Sequence, residues 1–154
     1  SAAETGLLMT AWPLVIVVAG PLAGTLATKI HPGLLGGVGL LVMSVGCFLL
    51  ADVSPSVGYG GLVARLMLCG FGFGLFQSPN NHLLLSSAPS YRTGGASGMQ
   101  ATARLVGQTT GAALVALLFY LNGDRAPHAA MWLAGGFTLC GSLVSCSRLR
   151  AHRF

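Results

Sequence analysis

Five long apolar runs decide what this chain can fold into. Residues 6–28, 34–51, 58–80, 96–121 and 129–146 are each predominantly apolar. Each is close to the roughly 17–25 residues a helix needs to cross a bilayer. Strands fit poorly, because runs this long lack the period-two alternation of a half-buried strand. Only 7% of the residues are charged, against about 25% in a soluble domain, so a soluble chain of this kind could not cover its own surface. The expected fold class is an all-α membrane protein with five transmembrane helices. It forms one partial transmembrane domain over residues 1–154, with 147–154 as a cytoplasmic tail.

The links carry turn residues. Lys29-Ile30-His31-Pro32-Gly33 and Asn122-Gly123-Asp124-Arg125 are short, and short links make antiparallel neighbours. Ser1-Ala2-Ala3-Glu4 has the spacing of a helix capping box, so the chain is expected to open on a helix start as a piece of a longer protein. An odd number of spans puts the termini on opposite sides. Lys29, Arg92, Arg148, Arg150 and Arg153 fall on one side, and Arg125 on the other with Glu4, Asp52 and Asp124. The positive-inside rule then predicts an outside N-terminus and a cytoplasmic C-terminus in the plasma membrane, the inner membrane of a bacterium.

Other classes lose ground on the same residues. The net charge of +5 does not form a basic patch with interleaved aromatics, so nucleic acid is not an expected partner. Cys47, Cys69, Cys140 and Cys146 stand singly, and His31, His82, His128 and His152 are scattered, with no His or Cys partner three or four residues away. No metal or cofactor is expected. Gly94-Gly95-Ala96-Ser97-Gly98 fails the nucleophile-elbow pattern, because Met99 takes its last position. Gly70-Phe71-Gly72-Phe73-Gly74 fails the dinucleotide pattern, with no strand before it. An enzyme is not expected.

Polar residues inside the spans form stripes. On the fourth, Ser97, Gln100, Arg104, Gly107, Gln108 and Gly111 share an arc about 100° wide. Arg104 sits about 14 Å in from Gly95, near mid-bilayer, where arginine must face protein or water. Gly107 and Gly111 are expected to pack against another helix. On the third span, Gly70, Phe73, Gly74, Gln77, Asn80 and Asn81 share an arc, with Gly70 and Gly74 as packing positions. Pro79 removes the partner of the Leu75 carbonyl, so it is a candidate kink, as are Pro13 and Pro21 in the first span. The segment Phe76-Gln77-Ser78-Pro79-Asn80-Asn81-His82 then reads as a bent, polar helix end. Arg65 is expected to snorkel to the outer surface.

Three stretches resemble a known family. Gly24-Thr25-Leu26-Ala27-Thr28-Lys29 resembles the second copy of a G-x-L-A-D-R loop motif, of which Gly24 and Lys29 are the remnant. Phe76-Gln77-Ser78-Pro79-Asn80-Asn81 with Ser86-Ser87-Ala88-Pro89, and Gly95-Ala96-Ser97-Gly98 through Arg104 to Gly107-Gln108-Thr109, are the other two. Together they resemble the last five spans of a major facilitator superfamily transporter, of the fourteen-span drug:proton antiporter branch. The resemblance implies multidrug efflux by alternating access, coupled to protons. It also implies a missing N-terminal half of the same transporter as partner, beside the lipid bilayer and a small amphipathic substrate. Gln77, Asn80, Asn81, Arg104 and Gln108 would line the cavity or a gate. Thr28 stands where the family motif has Asp, so this copy of the motif lacks its charge. The alternative is a complete small five-span subunit with a structural or assembly role, using its glycine faces to bind partners.

Overall fold

A computed structural model describes residues 2–54 and 57–151, with side chains over 6–54 and 57–147. Five long helices make up the described chain: α1 (Ala2–Ala27), α2 (Pro32–Ala51), α3 (Tyr59–Ser86), α4 (Thr93–Asn122) and α5 (Ala126–Ala151). Single 3-10 turns at Ser90–Arg92 and Gly123–Arg125 precede α4 and α5. Large apolar side chains point outward along the bundle, with Val17, Val18 and Leu143 all more than three-fifths exposed. Such a surface suits lipid and not water. The fold is an all-α membrane protein.

Local chemistry sets the boundaries. Pro32 opens α2, where its missing N–H costs nothing, and the His31 Nδ1 accepts from the Gly33 N–H at 3.1 Å as the cap. Ser87 Oγ donates to the Leu83 carbonyl at 2.6 Å at the end of α3, and Pro89 follows. Residues 90–147 form an apolar stretch of 58 residues, yet α4 and α5 are separate helices. Gly123 divides them, with φ of 51°, a backbone setting that an L side chain rarely adopts.

Helix ends differ from the sequence reading at several places. Residue 80 was the expected end of the third span, but α3 continues to Ser86. Pro79 is not a terminus: it lies fully buried inside an unbroken helix, as Pro13 and Pro21 lie inside α1. At Pro79, burial on a packed face holds the helix together where propensity alone would stop it, whereas Pro13 and Pro21 are exposed. The 147–154 tail continues α5 in backbone as far as Ala151, and residues 152–154 lie outside the described residues. So do Ser1, the side chains of Glu4, Arg148 and Arg150, and Pro55 and Ser56 of the second link. Arg65, expected to snorkel to the outer surface, is half-buried beside the end of α2. It donates to the Leu49 carbonyl at 2.7 Å, satisfying one of the open carbonyls in the last turn of α2.

Four helices pack side by side in the order α1, α3, α2, α5. Between α1 and α3, a Cβ on Gly70 would sit 2.8 Å from the Trp12 carbonyl oxygen, and one on Gly74 2.7 Å from the Ala19 Cβ. Trp12 also meets Phe73 with ring centroids 6.3 Å apart. Between α3 and α2, Gly72 and Gly39 bring their backbones together, and a Cβ on Gly72 would lie 2.5 Å from Met43 N. Between α2 and α5, serines cross the interface. Ser44 Oγ donates to the Gly135 carbonyl at 2.8 Å, Ser142 Oγ to Gly37 at 2.7 Å and Ser145 Oγ to Gly33 at 2.9 Å. At the far end of the same interface His128 Nε2 lies 3.3 Å from Asp52 Oδ1. The small core of Ala23, Leu35 and Leu75 ties the row together.

Candidate functional site

The remaining helix, α4, does not join the row. No residue of α4 is buried. It meets α3 at one end and α5 through the Gly123 turn, leaving between α3 and α4 a groove of about 730 Å³. That is the size of a site for a drug-sized molecule.

Both walls follow from helix periodicity. From α3 come Phe73, Phe76, Gln77, Asn80, Asn81 and Leu84, at the i, i+3, i+4 spacing that lines one face. From α4, Met99, Gln100, Ala103, Arg104, Gly107 and Gln108 face them at the same spacing. The five residues expected as cavity or gate positions, Gln77, Asn80, Asn81, Arg104 and Gln108, are thus all brought into one groove. One bond closes its end, Gln100 Nε2 donating to Asn81 Oδ1 at 2.5 Å. Gln77, Gln108 and Arg104 make no side-chain hydrogen bond among the described residues, and Arg104 is exposed. The described acids are far off: Asp124 follows Arg104 by about 30 Å of helix, and Asp52 caps the same end of the bundle.

The predicted stripes divide on inspection. Gly70 and Gly74 do not share the groove with Gln77. They turn to α1, and Phe73 marks the border by touching both Trp12 and the groove. Gly107 and Gly111 meet no packing partner among the described residues, since a Cβ on either would find nothing within 4 Å. Ser97 turns back, its Oγ donating to Thr93 at 3.0 Å. At the loop remnant, Gly24 lies opposite Ser78, a Cβ there reaching its Oγ at 4.0 Å, and Lys29 is exposed just past the end of α1. Thr28 Oγ1 donates to the Thr25 carbonyl at 2.7 Å, so its hydroxyl serves its own helix.

Sequence reading missed Phe76, Leu84 and Met99 as groove residues, though their spacing from Gln77, Asn80 and Gln100 could have found them. It also missed the Asp52–His128 pair and the serine bonds of α5. Those partners lie 76 to 112 residues apart, and no local pattern signals them.

A row of apolar helices with a polar groove under a fifth defines a multi-pass membrane protein. The Major Facilitator Superfamily model matches residues 1–153, and the chain belongs to that family. It is similar to the uncharacterized transporter YebQ of Escherichia coli, 48% identical over 153 residues, which is 99% of this chain and 34% of that protein. It is also similar to the riboflavin transporter RibZ of Clostridioides difficile, 33% identical over 74% of this chain and 25% of that protein. The multidrug resistance protein Stp of Mycobacterium tuberculosis is 28% identical over 80% of this chain and 23% of that protein. The chain therefore spans about a third or less of the length of these relatives. No solved structure matches it.

Proposed function

We propose that this chain is the C-terminal part of a transporter that exports small amphipathic molecules in exchange for protons, in the fourteen-span drug:proton antiporter branch. The groove between α3 and α4 carries the reading. It holds five amides and one guanidinium at helix positions that would otherwise be apolar. An arginine on a membrane helix needs protein or water around it, and a substrate path provides both. The remaining helices, from the N-terminal half of the same transporter, supply the facing wall and the acids that carry protons. Alternating access then rocks the two halves about the groove. The N-terminus faces out and the C-terminus lies in the cytoplasm, in a bacterial inner membrane, as the basic residues suggest. The names of two relatives, a multidrug resistance protein and a riboflavin transporter, support small-molecule cargo.

Efflux from cells expressing the full transporter tests this. Arg104→Ala combined with Gln77→Ala should cut efflux at least about tenfold at equal membrane abundance, as loss of two polar contacts would. Unchanged efflux removes the groove from the transport path.

A further inference from the structure

We propose that the groove selects flat aromatic ligands carrying an anionic group, and rejects lipophilic cations. The inference rests on the groove being the substrate path and adds the charge class of what it takes. Its polar lining is five carboxamides and one guanidinium, with no carboxylate among them. The described acids sit at the opposite end of the bundle, Asp52 beside His128 and Asp124 in the turn before α5. Arg104, exposed into the groove and without a hydrogen-bonded partner among the described residues, sets the local potential. Near that guanidinium a like charge is disfavoured and an anion is favoured.

Geometry narrows the ligand further. A guanidinium presents a planar fork of donors that matches a carboxylate in two parallel bonds. Gln77 and Gln108 offer both donor and acceptor, which suits the edge of a lactam or imide. Phe73, Phe76 and Met99 supply flat, polarisable surface for a ring. Phenyl faces also attract cations, but more weakly than a nearby guanidinium repels them. The carboxylate that meets Arg104 has two sources, the ligand or an acidic side chain of another helix in the full transporter.

Fluorescence anisotropy with the purified full transporter in lipid nanodiscs separates them. The probes are carboxyfluorescein, an anion with a flat xanthene ring system, and ethidium, a cation with a flat phenanthridinium ring system. Carboxyfluorescein should bind at least about tenfold more tightly than ethidium. Arg104→Gln should abolish that ratio, and Arg104→Lys should retain part of it. Equal binding, a preference for ethidium, or binding of neither probe overturns the proposal. An equal loss of both probes in Arg104→Gln also overturns it, and assigns the carboxylate to another helix. Gln77→Ala separates this from the underlying reading. If it weakens neither bound probe, the groove is not the substrate path. If it weakens both while Arg104→Gln leaves the ratio intact, the path stands and the charge selection fails.

Discussion

Helices α2 and α4 are both long, glycine-containing and apolar, yet they live opposite lives. Half of the residues of α2 are buried inside this chain, and none of α4. On α2, a Cβ at Gly37, Gly39 or Gly46 would collide with α5 or α3. On α4, a Cβ at Gly94, Gly95, Gly98, Gly107 or Gly111 would meet nothing. Glycine is thus no single signal. In α2 it brings backbones together so that serines and carbonyls can bond across helices. In α4 it keeps a wall open beside Arg104. One helix is a structural spine, and the other keeps its faces open among the described residues.

The sharpest break in that comparison comes at the α2–α3 contact. Gly72→Ala places a methyl carbon 2.5 Å from Met43 N and 2.6 Å from the Gly39 carbonyl oxygen. Both are backbone atoms, so neither can swing aside, and the helices must part. Overpacking of this kind costs about 3 kcal/mol. The full transporter in detergent should lose its monodisperse peak, or melt at a clearly lower temperature by fluorescence-detected size exclusion. A melting point equal to wild type would mean that α2 and α3 do not touch as described.

The α2–α5 side should give a smaller loss. Ser142→Ala and Ser145→Ala each remove one bond to an α2 carbonyl, at 2.7 Å and 2.9 Å in the native protein. Interhelical bonds in membranes are worth about 0.6 kcal/mol on average and at most about 1.7. The double variant should therefore lose about 1 kcal/mol, seen as a modest fall in melting temperature, with ligand binding in the groove retained. A loss as large as that of Gly72→Ala would show that the serines, and not the glycines, hold the row together.

How far these differences were legible from the sequence depends on contrast. On α3 and α4 the polar residues are few, so Gln77, Asn80, Arg104 and Gln108 stand out against an apolar background at helical spacing, and the groove follows. On α2 nearly every residue is apolar or glycine, so no face is marked and its central place in the bundle stays hidden. Ser142 and Ser145 look like ordinary small residues until Gly37 and Gly33, 105 and 112 residues away, are set against them. Pro79 leaves the helix end hard to read for the opposite reason. Its local chemistry breaks helices, but here it is buried on the packed side and the helix continues to Ser86. The stripe on α3 was also too wide for one role, and only packing shows that Gly70 and Gly74 face α1.

The smallest effect carries the most information about α4. Gly107→Ala adds a methyl where nothing lies within 4 Å among the described residues. Relief of glycine's backbone entropy in a helix is worth about 0.5–1 kcal/mol, and no clash opposes it here. The melting temperature of the full transporter should stay level or rise slightly, opposite in sign to Gly72→Ala. Gly111→Ala should behave alike, while only Gly107→Ala, which lines the groove, should also weaken a bound ligand. Suppose instead that both substitutions destabilise by more than about 1 kcal/mol, the range expected for overpacking. Then Gly107 and Gly111 seat a helix from outside this chain, and the expectation of a packing face holds for them after all. Loss of stability at Gly111 alone would place that helix against the C-terminal half of α4 and leave the groove beside Arg104 open.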